Sequence, residues 1–435
     1  MTEKVYIEEA GCNRRKLDLK KIRSYLQSNG YELVDHPEDA DKILVATCAF
    51  KKLEEDESVQ RLRHFRKYGS KMVVYGCLPD IAMERYQEFA DIPKVAPREI
   101  EKIEQIFPGN TKSYSMVAES NVIGKRRENI FKLVARVIQT RPTMDREFWY
   151  RMLADAKKKF ADMLLTSSTP YYLFVCRGCR GNCSYCAIRR SIGSVRSKPV
   201  AAVVAEFQRG IGDGYHDFMI LGDDPGCYGI DLGSSLPELL QALFAVASEA
   251  KNAENGADSA QREIVFHLNE IHPKFLISYT EDFLAMERFT SVRSILCPIQ
   301  SGSDRILELM QREHTAEQFE AVAKKIRMRQ PQTVFNTQII IGFPSETEDD
   351  FQKTLECVAR CRFNSVVIFP YDNKAGTESS LLPEKIPAKI IQKRVRNAFH
   401  FFSKVGLTSY YKSPWEIGGA SPRRLRFLSK VQSGR

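Results

Sequence analysis

From Tyr171 onward the chain repeats one unit six times: an apolar run of strand length, a polar loop, then a stretch of helical spacing. The runs are YYLFVC (171–176), DFMILG (217–222), EIVFHL (263–268), RSILCP (293–298), TVFNTQIIIG (333–342) and SVVIFP (365–370). Helical spacing follows over 199–209, 236–250, 273–286, 315–329, 347–361 and 384–403. Parallel strands need a long crossover between them, and a helix is the usual one. Six such units predict a partial (β/α)6 barrel whose active site sits at the C-terminal strand ends.

The first hundred residues carry the same alternation on a smaller scale. Strand-like VYIEEA (5–10), KILVAT (42–47) and KMVVYG (71–76) precede helical patterns at 16–29, 51–67 and 80–89, so the fold class is α/β with a separate N-terminal parallel sheet. Each of these strands ends in a cysteine: Cys12 in EAGCN, Cys48 in VATCAF, Cys77 in VYGCLP. One such cysteine reads as a small buried hydrophobe. Three in equivalent positions are carried to one sheet edge by topology and form a three-thiolate cluster site.

A second set lies in VCRGCRGNCSYCAIRR, where Cys179, Cys183 and Cys186 are spaced C-x3-C-x2-C with Tyr185 before the last. The chain starts without a signal-peptide layout and has no apolar run of about 20 residues to span a bilayer, so a cytoplasmic protein with no membrane partner is expected. In a reducing compartment its eleven cysteines are read for metal or redox chemistry. Three thiolates on one short loop suit three corners of a 4Fe-4S cluster with one iron open; a closed zinc site and plain buried thiols are the competing readings. Cys176, Cys227, Cys297, Cys357 and Cys361 are left over and read as buried packing, and the seven histidines show no metal spacing.

The ends of the barrel strands carry Gly222-Asp223-Asp224, Asn269-Glu270, Gln300-Ser301-Gly302-Ser303, Gly342-Phe343-Pro344-Ser345-Glu346 and Tyr371-Asp372. Glycines let backbone approach a ligand, and carboxylates bind amino groups or ribose hydroxyls. A small cationic, ribose-bearing cofactor fits this rim, with Glu270 and Phe343 among its candidate contacts.

GCNRRKLD, ATCAF, YGCLPD and GCRGNCSYCAI, with CPIQSGSDRILELMQREHT, IIIGFPSETEDDFQKTL and FPYDNKAGT, resemble the motifs of the radical SAM methylthiotransferases over residues 3–100 and 170–400. The resemblance implies two 4Fe-4S clusters. The one on Cys179, Cys183 and Cys186 would bind S-adenosylmethionine and cleave it to a radical that abstracts hydrogen; the auxiliary one on Cys12, Cys48 and Cys77 would carry or donate sulfur. A second S-adenosylmethionine would give the methyl group, and a flavodoxin or ferredoxin would serve as reductant. Tyr185 would contact the adenine by its backbone, and Asp223, Asp224, Gln300, Ser301 and the Gly342 loop would line the cofactor pocket.

The chain departs from that family's pattern at Arg15, where Asn is usual, at Ala46, at Ser345 and at Asp223, where a Gln- or Glu-like residue is usual. The reading divides it into an N-terminal unit (1–110), a basic helical insertion (111–168), the barrel (169–404) and a short basic tail (405–435) without the family's TRAM barrel. The spacing of apolar residues predicts helix over 119–166, with Trp149 and Tyr150 expected as core anchors, and Arg423, Arg424, Arg426 and Lys430 make the tail basic. Lys and Arg at 65 against Asp and Glu at 55 give a net charge of +10, which attracts nucleic acid, phosphates or acidic peptides. The expected activity is insertion of sulfur and a methyl group at an unactivated C–H bond, on tRNA adenosine, on a protein or peptide, or on a natural product. The competing readings are a radical SAM enzyme whose auxiliary cluster passes electrons or binds substrate, and a non-catalytic iron-sulfur or zinc protein that binds RNA.

Overall fold

Strand β3 (Lys42–Thr47) is buried along five of its six residues, the mark of a strand covered on both faces. Its odd positions, Ile43 and Val45, pack under Val59, Leu62 and Phe65 of helix α2 (Lys52–Phe65). Its even positions, Leu44 and Ala46, pack under Leu19, Ile22 and Leu26 of helix α1 (Asn13–Ser28). Each such fully buried aliphatic side chain contributes about 1.5–3 kcal/mol of transfer free energy, which fixes the strand's register against both helices.

The computed structural model describes residues 2–123, 170–253 and 263–411. Most of the basic insertion, with Trp149 and Tyr150, and the tail cations Arg423, Arg424, Arg426 and Lys430 lie outside the described residues. The N-terminal sheet has the order β2-β1-β3-β4-β5, all parallel, from β1 (Lys4–Glu8), β2 (Glu32–Leu33), β3, β4 (Met72–Gly76) and β5 (Lys94–Val95). The three cysteine-bearing strands are therefore direct neighbours. The helical stretch expected over 80–89 is broken: Ala82, at φ −120° and ψ 59°, separates a turn at Leu78–Ile81 from one at Met83–Tyr86.

The second sheet runs β13-β12-β11-β10-β9-β8-β6-β7. Its six parallel central strands are those expected: β6 (Tyr171–Arg177), β8 (Asp217–Gly222), β9 (Val265–Leu268), β10 (Val292–Leu296), β11 (Val334–Ile341) and β12 (Ser365–Pro370). Two edge strands were not anticipated, β7 (Arg196–Ser197), antiparallel to β6, and β13 (Thr408–Tyr411), parallel to β12. The last long helix begins at Ala388 rather than 384, because Pro387 stands at its N-cap and proline has no N–H to continue a helix backwards. Phe207, Phe218 and Phe266 lock the second strand to its covering helix, with the first two rings 4.6 Å apart. All five leftover cysteines, Cys176, Cys227, Cys297, Cys357 and Cys361, are buried.

Candidate active site

The loop after β6 turns at Gly178, whose φ of +79° and 2.0 Å separation between an added Cβ and the Ser194 carbonyl oxygen leave room for no other residue. Beyond that turn the chain folds Cys179, Cys183 and Cys186 inward. A Cβ on Gly181 would lie 3.3 Å from Cys179 Sγ and 3.7 Å from Cys183 Sγ, so the two sulfurs share one small space. The loop is pinned from across the barrel, where Ser184 donates its backbone N–H to the Met310 carbonyl (3.1 Å) and its hydroxyl to the Leu309 carbonyl (2.6 Å). Burial, then the nearness of Cys183, pushes the Cys186 thiol up to about 12. Cys179 is drawn down by a hydrogen bond from Cys227.

The other trio sits at the C-terminal ends of β1, β3 and β4. Gly76, at φ +128°, lets β4 pass so close that a Cβ would fall 2.2 Å from the Thr47 carbonyl oxygen, and Cys77 N–H bonds that same carbonyl at 3.2 Å. Burial, then Cys77 and Cys12, push the Cys48 thiol up to about 12; burial pushes Cys77 up to about 11, against Arg15 and the Ser191 hydroxyl. Ser191 comes from the helix that follows the other cysteine loop, and its buried hydroxyl has no oxygen or nitrogen partner. Burial holds Cys48 and Cys77 neutral, as it does the packed thiols Cys176 and Cys297, and a bound metal's charge would offset that cost.

Between the trios lies a cavity of about 230 Å³. Its barrel wall includes Cys179, Cys183, Cys186, Tyr185, Asp223, Asp224, Glu270 and Gln300. Its opposite wall is built from Arg14, Ala49, Phe50, Lys51 and Ile81, the near neighbours of Cys12, Cys48 and Cys77. Ser301, Gly342 and Phe343 are not in the lining. The Ser301 hydroxyl bonds Thr354 Oγ1 (3.1 Å), the Gly342 N–H bonds Glu346 Oε2 (2.9 Å), and Phe343 packs edge-on to Tyr371, so these three stand behind the wall and shape it.

The two aspartates are engaged within the protein. Asp223 accepts from Gly178 N–H (2.8 Å) and pairs with Arg14 Nε and Arg15 Nη2, each at 3.3 Å. Asp224 accepts from the backbone of Gly226 (3.0 Å) and His272 (3.3 Å) and from the Cys227 thiol (3.2 Å), and burial raises its carboxyl. Polar atoms without partners lie elsewhere on the wall. Gln300, at φ +66° and 8% exposed, holds a buried Oε1 with no donor; Arg312, 4% exposed, holds a buried Nε–H with no acceptor. One orphaned acceptor and one orphaned cationic donor match the ammonium and carboxylate of an amino acid, so the residues present fit S-adenosylmethionine as well as clusters.

Sequence reading missed four residues here. Arg312 donates to Cys183 Sγ (3.2 Å), Tyr185 Oη (3.3 Å) and the Pro298 carbonyl (2.6 Å); His272 Nε2 lies 3.9 Å from Cys183 Sγ and is held neutral by burial and Arg312. Arg14 crosses from the N-terminal sheet to Glu270 (2.7 Å) and the Gly222 carbonyl (3.0 Å), and Lys374 closes the far rim. Only His272, two residues past Glu270 at the start of a helix, carried a positional signal.

The family model for the radical SAM superfamily matches residues 173–358, and that of "uncharacterized protein family UPF0004" matches residues 4–95. A probable threonylcarbamoyladenosine tRNA methylthiotransferase of Pyrococcus horikoshii is 27% identical over 403 residues, 90% of this chain and 82% of its own length. The ribosomal protein uS12 methylthiotransferase RimO of Thermotoga maritima is 29% identical over 400 residues, 90% of this chain and 81% of its own. Among solved structures, the radical S-adenosylmethionine methyltransferase TsrM of Kitasatospora setae, with cobalamin and a [4Fe-4S] cluster bound, shares the fold at a TM-score of 0.53. It is 12% identical and aligns over 85% of this chain and 72% of its own. One family model lies over each cysteine set and methylthiotransferases align along nine-tenths of the chain, so the chain is similar to the radical SAM methylthiotransferases across both of its units.

Proposed function

We propose that the cavity between the two cysteine trios is where this methylthiotransferase modifies a nucleoside of a tRNA. The observation that carries this is the cavity itself: one wall holds Cys179, Cys183 and Cys186, and the facing wall holds the neighbours of Cys12, Cys48 and Cys77. S-adenosylmethionine and the 4Fe-4S clusters, when bound, supply hydrogen abstraction, sulfur and methyl, chemistry that side chains cannot perform. The protein's own task is to bind, to orient and to keep water out.

In this reading Cys179, Cys183 and Cys186 hold one cluster and Cys12, Cys48 and Cys77 the other. Gln300 Oε1 takes the ammonium of S-adenosylmethionine and Arg312 its carboxylate, with Tyr185 and Asp224 beside them. Phe50, 44% exposed at the rim and edge-on to Phe369 at 5.8 Å, offers a face for a flat base. Lys51 and Arg189 line the same opening and give phosphate oxygens a counter-charge, in keeping with the chain's +10. The Pyrococcus relative is named for a tRNA nucleoside. A flavodoxin- or ferredoxin-type protein is the proposed electron donor. No helix among the described residues is long and apolar enough to cross a membrane.

The test is anaerobic turnover of the reconstituted protein with S-adenosylmethionine, a reductant and tRNA from cells lacking the gene, followed by mass spectrometry of the nucleosides. A nucleoside heavier by one methylthio group supports the reading. A methylthio group found on a ribosomal protein instead would overturn the choice of RNA.

A further inference from the structure

We infer that three separate charged latches dock the three N-terminal cysteine loops onto the barrel mouth, and that these latches set the spacing between the two thiol trios. The inference rests on the functional reading above and deepens it. Each latch starts a few residues past one cysteine and ends on a different barrel loop.

After Cys12, Arg14 reaches Glu270 (2.7 Å) and Asp223 (3.3 Å), and Arg15 reaches Asp223 (3.3 Å). Both oxygens of Asp223 are occupied, one by these arginines and the other by the Gly178 N–H that opens the neighbouring cysteine loop. After Cys48, the first turn of α2 is tied down from the barrel: Asp372 accepts the Lys52 N–H (2.9 Å), and Lys374 Nζ pairs with Glu55 (2.7 Å) and Asp372 (3.1 Å). The side chains of Lys374 and Glu55 are 9% and 6% exposed, so this pair is dry. After Cys77, Asp80 holds Arg98 (2.5 Å), which donates to the Arg190 carbonyl on the helix that follows Cys186.

Buried ion pairs add little net stability compared with apolar packing of the same shape, but their directional bonds specify one arrangement. Two such pairs, with the partly exposed Arg98 guanidinium bonded to the Arg190 carbonyl as a third contact, hold one unit against the other at three points. Spacing matters here because sulfur has to meet the carbon from which hydrogen was taken, and a misplacement of about 1 Å costs on the order of a hundredfold in rate.

The test uses the anaerobic holoenzyme with Glu55→Gln, the conservative Glu55→Asp, and Glu55→Met as a second way of breaking the same latch. In Glu55→Gln and Glu55→Met the iron content and the rate of 5′-deoxyadenosine formation stay within about twofold. Methylthiolated product per 5′-deoxyadenosine falls about tenfold or more. The magnetic interaction between the two reduced clusters, read by electron paramagnetic resonance, weakens with it, and Glu55→Asp restores both. Product and cleavage falling in step, or a ratio and an interaction that stay at the unaltered value, would sink the inference. If the unaltered enzyme makes no methylthiolated product, the functional reading has failed, and the magnetic interaction alone decides for or against the latch.

Discussion

Arg15 Nη2 stands 3.3 Å from Asp223 Oδ1 across the junction of the two sheets, with both side chains under 5% exposed. These are two of the positions at which the sequence departs from its family's pattern, 208 residues apart, and the structure makes them one feature. Arg15 also pairs with Asp18, which accepts from Arg177 of β6, so charges alternate from the N-terminal helix into the barrel.

Arg15→Ala removes one of two cationic partners from Asp18 and from Asp223, leaving Arg177 and Arg14 in place, and a destabilisation of about 1.5–3 kcal/mol is expected. Denaturant unfolding of the anaerobic holoenzyme measures it. A change under about 1 kcal/mol would place the pair in a much wetter environment than its burial indicates.

Gln300 and Arg312 give the cofactor's polar ends their partners in this account. A hydrogen bond to a charged group contributes about 1.5–3 kcal/mol, so Gln300→Ala is expected to raise the KM for S-adenosylmethionine by about 10- to 100-fold. Initial rates of 5′-deoxyadenosine formation against cofactor concentration check it.

A base stacked on an aromatic ring contributes about 1–3 kcal/mol. Phe50→Ala is therefore expected to raise the KM for tRNA by about 10- to 100-fold, while Phe50→Trp preserves it. Equal KM values for all three proteins would remove Phe50 from the binding surface.

Acid sensitivity is expected behind the pocket. Burial raises the Asp350 carboxyl, but Arg305, Ser303 and Thr347 outweigh it and hold the group well below the usual carboxylate range. The folded state then binds fewer protons than the unfolded one, so this contribution is present above the ordinary carboxylate pKa of about 3.9 and is lost as the pH falls further. Asp350 also completes the capping box of helix Glu348–Arg360 with Thr347. Asp350→Asn is expected to cost about 1 kcal/mol at pH 7, undiminished down to about pH 4, with the difference from the unaltered protein shrinking only as the pH falls below the ordinary carboxylate value of about 3.9. Paired melts across about pH 2 to 7 measure it.

Much of the scaffold was legible because it is periodic. Apolar runs such as DFMILG and SVVIFP report burial of strand faces, and the six central barrel strands begin and end within two residues of the expected positions. The N-terminal cysteines were legible for the same reason, since strand order follows from the crossover rule. What escaped carries no period. β13 is four residues whose partner is β12, and Ala82 interrupts a helical pattern that its composition supports. Asp223 looked available to a cofactor until Arg14 and Arg15 took one of its oxygens and the Gly178 N–H the other, and Arg312 reaches Cys183 from 129 residues away. Pairings of single polar residues at such separations are tertiary facts, and no local rule announces them.

The central claim is that two independent thiol trios hold two clusters over one cavity. Iron and sulfide counts with Mössbauer spectra test it most directly, taken on the anaerobically reconstituted protein and on the variants carrying Ala at 12, 48 and 77 or at 179, 183 and 186. The account expects about eight irons per chain, about four in either triple variant, and S-adenosylmethionine cleavage in the first variant only. About four irons in the unaltered protein, or loss of all iron from one triple variant, would contradict it.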